Sequence, residues 1–429
     1  MSQSQEKKSY LLPIIMMIAL FSMISFVAGL STPMGTIVKD QFGASNFMSQ
    51  LGIFANFIAY AVMGIPSGLM IRKYGYKTTA LAAVAVGFIG VSIQFLSGQV
   101  GSFYVYLAGA FVAGFSMCML NAVVNPMLNT LGGGGKKGNA LLQLGGSVNS
   151  LSATIVPVLV GYLIGNALKP SISDASPAMF IAMGIFAVVF VVLYFVQIPE
   201  PHLEPVVESK IKDKYSPMSF RHFILGAVAI FVYVGVEVGI QSIVQVFMTT
   251  EVAKGGLAMN KTITGSVVGT YWFLMMIGRL VGASIGGKVS SKAMLSTVTT
   301  IGLTLVLIAI FTPTTTTVGM PVFQEDISFG IAQVPLSIML LILCGLCTSV
   351  MWGSIFNLAV EGLGKYTAMA SGIFMAMVCG GGVLPAIQGL VADNVGFLNS
   401  YFVIAIGLAY MLFYALVGSK NVNKDIPVE

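Results

Sequence analysis

Charge is what this sequence has least of: 8% of its 429 residues are Asp, Glu, Lys or Arg, against 56% hydrophobic residues. That balance excludes an ordinary soluble domain, in which about a quarter of the residues are charged. Histidine is nearly missing, with only His202 and His222, and neither belongs to a metal-ligand constellation. Cysteine is scarce as well. Cys118, Cys344, Cys347 and Cys379 all lie in apolar runs. Cys344 and Cys347 have C-x-x-C spacing, but one turn of an apolar helix without further ligands is a poor redox or zinc site, so all four read as packing thiols. No nucleophile and base set emerges, which argues against an enzyme, and no cofactor is implied. Gly132 to Gly135 followed by Lys136-Lys137 lacks the spacing and the Ser/Thr of a phosphate loop and reads as a cytoplasmic turn. No sensor domain is appended, so a receptor or scaffold has no support.

Long apolar runs are what the chain has in abundance. A bilayer core about 30 Å thick needs roughly 20 apolar residues per helix, and about twelve stretches meet that need. They are Leu11–Pro33, Met48–Ile71, Thr78–Ser97, Phe103–Leu131, Leu141–Gly165, Ala178–Ile198, Phe223–Met248, Ile263–Gly286, Leu295–Thr312, Val334–Glu361, Met369–Val391 and Ser400–Val417. In lipid each must be a helix, because backbone groups have to pair within their own segment. The first follows Lys7 and Lys8 and outruns a signal-peptide core, so it reads as a retained span.

Basic residues orient the bundle. With the N-terminus in the cytoplasm, that side collects Lys7, Lys8, Arg72, Lys73, Lys77, Lys136, Lys137, Lys210, Lys212, Lys214, Arg221, Arg279, Lys288, Lys292, Lys365, Lys420 and Lys424, whereas the other receives Lys39, Lys169, Lys254 and Lys261. The asymmetry predicts an even span count and an integral multi-pass protein of the inner (plasma) membrane with both termini cytoplasmic. The net charge of +6 then reflects topogenesis and attraction to the inner leaflet, and gives no reason to invoke nucleic acid.

Between the sixth and seventh spans, Pro199 to Phe220 is a charged, proline-bearing segment. It divides the chain into residues 1–198, a cytoplasmic linker at 199–220, and residues 221–429. The two parts resemble each other: the fifth and eleventh spans share a Pro-x-x-x-Gly end, and GIPSGLMIRKYGYK after the second span parallels GRLVGASIGGKVSSK after the eighth. Internal repeats of this kind mark secondary transporters, whose binding site lies between the repeats near the midplane. The expected fold is all-α, twelve transmembrane helices in two pseudo-symmetric six-helix bundles. Gly380 to Gly382 in the eleventh span predict close helix contact or a bend.

Polar residues inside the spans fall on two stripes. Asn121, Asn125 and Asn129 recur every fourth residue in the fourth span, as do Tyr233, Glu237, Gln241 and Gln245 in the seventh. Neither stripe can face lipid, where an unsatisfied amide costs several kcal/mol. Interhelical glue is the bland explanation; two stripes with a carboxylate favour a watery cavity. Counting about ten residues from the cytoplasmic end for Asn121, eight for Asn149 and nine for Trp352, at about 1.5 Å each, puts the three at one height. Amides beside an indole suit a neutral polyol, since amides both donate to and accept from hydroxyls and the ring packs on a pyranose face. Candidate substrate contacts are therefore Asn121, Asn125, Asn149, Glu237, Gln241, Gln245, Trp352 and Asn357.

Glu237 is the one charged residue placed near a midplane; Arg279 and Glu361 fall at cytoplasmic ends and Asp393 near an outer end. A charge at that depth costs from about 2.5 kcal/mol upward and marks function. It can take up a proton, help hold a sodium ion, or only accept hydrogen bonds from a sugar in a uniporter. A drug or metabolite exporter is the competing class, disfavoured by the cost of burying so many amides for apolar cargo.

The plan of six plus six spans with Gly68-x-x-x-Arg72-Lys73-x-Gly75-x-Lys77 resembles the major facilitator superfamily. NPMLNTLG (Asn125 to Gly132), VNSLSA (Val148 to Ala153), YVGVEVGIQS (Tyr233 to Ser242), LAVEGLGKYT (Leu358 to Thr367) and PAIQGLVAD (Pro385 to Asp393) resemble segments of the fucose/glucose/galactose–proton symporter family. The resemblance covers nearly the whole chain. It implies a monomeric monosaccharide importer working by alternating access among membrane lipids, with H+ or Na+ as coupling ion and Gly68, Arg72, Lys73, Gly75 and Lys77 as a cytoplasmic gate motif. The superfamily motif usually has an acid where Arg72 stands, but this sugar family tends to have a basic pair. The family's first-span proton-binding aspartate position falls on Thr32 and its fourth-span glutamate position on Asn121, neither of which titrates. Its fifth-span asparagine matches Asn149, and the nearby glutamine position falls on Gly146. Relatives of the glucose and galactose type have an acid at the position of Glu237.

Overall fold

Apolar length dictates the architecture. The computed structural model describes residues 10–132, 135–164, 171–200, 215–285, 288–324, 326, 328–423 and 425–428. Among these, eleven helices are long and apolar enough to cross a membrane. One of them, Asn46–Val100, has 55 residues and is interrupted at Gly75, where φ is 83° and ψ 172°. At about 1.5 Å per residue it is more than twice the length a bilayer requires. The eleven therefore make twelve spans, as expected.

In chain order the helices are α1 (Leu11–Phe42), α2 (46–74), α3 (76–100), α4 (Phe103–Leu131), α5 (Gly135–Ile164) and α6 (Ser176–Phe195). They continue with α7 (Arg221–Thr249), α8 (Lys261–Ile285), α9 (Ser291–Phe311), α10 (Leu336–Val360), α11 (Met369–Val395) and α12 (Phe397–Gly418). Residues 201–214, with His202 and most of the expected linker, lie outside the described residues, as do Lys7, Lys8, Lys169, Lys424 and the side chains of Asn129, Lys136 and Lys137.

Two features differ from the sequence expectation. The first span continues past Pro33 to Phe42 and ends where Gly43 turns left-handed at φ 60° and donates its N–H to the Lys39 carbonyl. Pro33 removes a single backbone donor, and the flanking turns stay helical. Between α9 and α10 a hairpin forms, β1 (Thr317–Phe323) antiparallel to β2 (Phe329–Pro335). Its end is fixed to α8, since the Phe323 N–H donates to Thr270 Oγ1 at 3.0 Å and the Phe323 ring stacks on Phe273 at 5.8 Å.

The first six helices meet the last six along two seams built from glycine. In the α2–α11 seam, a Cβ on Gly382 would lie 2.7 Å from Phe54 Cα, one on Gly389 2.8 Å from the Asn46 carbonyl, and one on Gly64 3.2 Å from the Ala376 nitrogen. In the α5–α8 seam, Gly161 faces the Lys261 carbonyl, Gly265 that of Pro157 and Gly269 that of Thr154. Small residues let backbones approach where hydrophobic burial between lipid-bathed helices drives little. Among the described residues three of the later spans are discontinuous: α10 breaks between Thr348 and Met351, α11 between Met377 and Gly380, and α12 at Tyr401. Gly380 and Gly381 thus combine the bend with close contact, packed on Phe231 and Phe57.

Candidate functional site

Twelve alternating spans put the α1–α2, α7–α8 and α11–α12 connections on one face, here the distal face, and the α2–α3 turn with both chain ends on the proximal face. The α7 stripe runs between them. Its distal part is sealed: Gln241 and Gln245 are 2% and 3% exposed, and Gln241 Nε2 donates to Thr32 Oγ1 on α1 at 3.2 Å. One further turn out, Thr249 Oγ1 meets Thr36 Oγ1 at 3.5 Å. The Oε1 atoms of Gln241 and Gln245 have no hydrogen-bond partner there, an unusual condition for buried amides.

The closure is completed by charges at the distal ends. The Asp393 carboxylate of α11 accepts the backbone N–H groups of Asn46 and Phe47, the first turn of α2, at 2.8 and 2.9 Å. Lys39 of α1 donates to Asn46 Oδ1 and to Thr250 Oγ1 at 2.8 Å, and lies 5.2 Å over the Phe397 ring. Asp40 pairs with Lys261 at 3.0 Å. Every one of these contacts except Lys39–Asn46 joins the first six helices to the last six.

Proximal to that seal, Asn121, Asn125, Asn149, Glu237 and Trp352 all keep partial solvent access. They come from α4 and α5 in the first six helices and from α7 and α10 in the last six. Asn121 Nδ2 donates to Tyr60 Oη on α2 at 2.8 Å, and Tyr60 stacks on Phe57 at 5.9 Å. Asn149 Nδ2 donates to the Phe21 carbonyl of α1 at 2.7 Å. The Trp352 ring lies 6.2 Å from that of Tyr233, whose hydroxyl faces the Glu237 carboxylate one turn on. Trp352 stands just after the break in α10, so the indole is presented where the helix is discontinuous, the arrangement transporters use to line a site. Behind it, Tyr271 Oη donates to the Glu237 backbone carbonyl at 3.1 Å and shares a hydrogen bond with Thr348 Oγ1 at 3.0 Å. Chemically these partly exposed side chains offer amide donors and acceptors, an indole and one carboxylate.

Some expected residues fall elsewhere. Asn357 is exposed near the proximal end of α10, where its Nδ2 donates to Ser291 Oγ at 3.4 Å, and it does not join the cluster. It lies on the outward side of α10, whose neighbouring Ile355, Leu358 and Ala359 are buried. Of the gate motif, Arg72 and Lys73 are exposed, with Lys73 Nζ 5.1 Å over the Tyr74 ring. Gly75 and Lys77 instead fasten the α2–α3 turn to the end of α6: Glu200 accepts the N–H groups of Tyr76 and Lys77 at 2.7 and 2.9 Å, and Lys77 Nζ donates to the Tyr194 carbonyl at 2.8 Å. Glu200 has no spacing signal in the sequence beyond being an acid just after a span. Arg279, expected at the cytoplasmic end of its span, stands near the proximal end of α8 and donates to the Gly146 carbonyl of α5 at 2.9 Å. The four cysteines are buried and unbridged. Among the described residues no group of three or more His, Cys, Asp or Glu could hold a metal ion.

Comparison with known proteins places these features. Residues 15–385 match the family model described as Major Facilitator Superfamily. The chain is 27% identical to a glucose/galactose transporter of Brucella abortus over 428 residues, covering 98% of this chain and 97% of that one. It is 23% identical to the L-fucose-proton symporter of Escherichia coli, covering 91% and 89%. Its fold superposes on the crystal structure of the transporter FucP in the outward conformation with a TM-score of 0.69, at 19% identity, over 96% of this chain and 100% of that one.

Proposed function

This chain belongs to the Major Facilitator Superfamily, and we propose that it imports a neutral monosaccharide, a hexose such as glucose, galactose, mannose or fucose, across the inner (plasma) membrane by alternating access. Coupling to a proton or sodium gradient runs through Glu237. The observation that carries the reading is that Asn121 and Asn149 of the first six helices and Glu237 and Trp352 of the last six keep partial solvent access while Gln241 and Gln245 of α7 are sealed. Relatives named for glucose, galactose and fucose transport support the substrate class.

In this reading residues 1–198 and 221–429 are the two moving bundles, joined by the segment 199–220. The chain works as a monomer, its termini are cytoplasmic, and the distal face lies outside. The described state is then closed to the outside, with Gln241 and Gln245 waiting beneath the closure for sugar hydroxyls or water.

A uniporter is the second reading, favoured by one specific observation: the positions corresponding to the symporter family's acids hold Thr32 and Asn121. Uptake of a labelled hexose panel into proteoliposomes under imposed proton or sodium gradients separates the two. Accumulation above the external concentration that is lost in Glu237→Gln, with exchange retained, is the expected result. Equilibration under every gradient would make the protein a facilitator, and no uptake of any sugar would end the hexose reading.

A further inference from the structure

Glu237 and Trp352 stand on different helices, so the distance between them is a property of packing. One helical turn separates Tyr233 from Glu237 on α7, and another separates Thr348 from Trp352 on α10. The two turns are joined at both ends. On the proximal side the Tyr233 and Trp352 rings lie 6.2 Å apart. On the distal side the join passes through a third helix: Tyr271 of α8, a buried residue, donates its hydroxyl to the Glu237 backbone carbonyl at 3.1 Å and shares a hydrogen bond with Thr348 Oγ1 at 3.0 Å.

Thr348 is the residue at which α10 stops, and Trp352 is the second residue after it resumes. A break interrupts the backbone bonds that fix the direction of one piece of a helix against the other. α8 supplies a bed for it. A Cβ on Gly345 would lie 2.4 Å from the Tyr271 carbonyl, one on Gly278 2.2 Å from Ser349 Oγ, and one on Gly282 2.4 Å from Val350 Cγ1. Bare backbone sets a distance, whereas a hydrogen bond sets a direction as well. The tie is also releasable. Thr348 has one hydroxyl proton, and the Cys344 and Gly345 carbonyls of its own helix compete for it at 3.2 and 3.3 Å. Both contacts of Tyr271 are satisfied together when Thr348 donates to Tyr271 and Tyr271 donates to Glu237.

We propose that Tyr271 is a positioning residue for sugar selection: its hydroxyl, held between the Glu237 carbonyl and Thr348, fixes the spacing between the Glu237 carboxylate and the Trp352 indole. It touches neither group and acts through the backbone of α7 and the break in α10. With the tie made, a hexose is admitted according to how well its hydroxyls and its apolar face span a set distance. Without the tie, the piece of α10 that carries Trp352 settles against each sugar in turn, and the preference among epimers flattens. When α10 bends away, Thr348 returns its proton to its own helix, so release leaves no stranded donor there. The selectivity part of this inference rests on the transport reading above; the tie between α7, α8 and α10 does not.

Tyr271→Phe and Thr348→Val test it, singly and combined, since each removes a hydroxyl and keeps the shape of the side chain. All are made in the full-length protein with Trp272→Phe, which leaves Trp352 as the sole tryptophan. Three quantities are read: half-saturation and maximal rate of exchange for a hexose panel in proteoliposomes, acrylamide quenching of Trp352, and the thermal unfolding midpoint as the control for folding. Tyr271→Phe is expected to raise half-saturation for the preferred sugar about tenfold, the equivalent of one hydrogen bond. The poorer sugars change less, so the selectivity ratio falls, and Trp352 becomes more open to the quencher. Thr348→Val is expected to do the same, and the combined variant to be no worse than either single change, because one chain of bonds is lost in every case. Half-saturation raised equally for all sugars, unchanged quenching, or a combined variant as impaired as the sum of the two would each overturn the proposal and leave Tyr271 a packing residue. If the native protein exchanges no hexose, the transport reading fails, while quenching and the unfolding midpoints still decide whether the tie exists.

Discussion

Replacing Asp393 by Asn tests the distal closure at one atom. The carboxylate accepts the N–H groups of Asn46 and Phe47 at 2.8 and 2.9 Å, amides of a first helical turn that have no partner within α2. Hydrogen bonds to a charged group contribute about 1.5–3 kcal/mol each, and an anion at a helix N-terminus about 0.3–1 kcal/mol more. Asn keeps one acceptor oxygen, so the substitution removes one such bond and the charge. Asp393 is exposed, and water and salt screen it, which brings the net loss to about 1–2 kcal/mol. Lys39–Thr250, Asp40–Lys261 and the glycine seams remain, so the closure weakens without disappearing. At about 1.4 kcal/mol per factor of ten, the population open at the distal face rises about 5- to 30-fold. Ser31, 7% exposed, stands beside Thr32 on α1, where its hydroxyl accepts from Asn56 Nδ2 of α2, and is the reporter. Ser31→Cys is labelled by an impermeant maleimide applied to the distal face, and the native cysteines, all buried, leave a low background. A labelling rate that rises by that factor in the Asp393→Asn variant is the expected outcome. An unchanged rate, with the unfolding midpoint preserved, would refute the assignment of Asp393 as a closure contact.

Further outcomes follow from the cleft and the turn. Asn149→Ala removes the donor to the Phe21 carbonyl and one amide facing the cleft; sugar half-saturation in exchange is expected to rise about tenfold, the equivalent of one hydrogen bond. Trp352→Ala removes the ring beside Tyr233 and is expected to raise the same constant by up to about tenfold, since aromatic contacts add about 0.5–1.5 kcal/mol beyond area; a change confined to stability would make the indole a packing group. Gly75→Ala puts a Cβ 2.8 Å from the Glu200 carboxyl at a φ of 83°. Positive φ with extended ψ is essentially a glycine conformation that costs about 1–3 kcal/mol with a side chain, and differential scanning should show the unfolding midpoint fall by several degrees.

The fold was legible in the sequence wherever length and periodicity decide it. Twelve spans follow from apolar runs, and the fourfold spacing of Tyr233, Glu237, Gln241 and Gln245 does place them on one face of α7. What periodicity cannot tell is where along that face the protein closes. Glu237 keeps solvent access and Gln241 loses it because α1 crosses α7 at Thr32, and a crossing point belongs to tertiary packing. Asp393 was placed at the correct end of α11, but its partners are backbone amides, which leave no trace in residue identity. Arg279 stands near the proximal end of α8, but its bond to the Gly146 carbonyl is not legible for a different reason: a long flexible side chain can end a turn above or below its Cα, and helix position does not say which. The hairpin at 317–335 was missed because a short segment between two spans carries too little alternation to stand out from a loop.

The seams at α2–α11 and α5–α8 bring together positions that have almost no side chain to recognise. Gly382 on Phe54, Gly389 on Asn46 and Gly265 on Pro157 meet through backbone atoms that are the same for every residue type. Such surfaces resemble a mechanical bearing: one helix can roll against the other and exchange one backbone contact for the next with little change in energy. The side-chain contacts at Asp393, Lys39 and Asp40 are catches, which hold in one position and release in another. A protein that must occupy two shapes of nearly equal free energy gains from keeping these parts separate, because its travel and its resting position can then be altered independently.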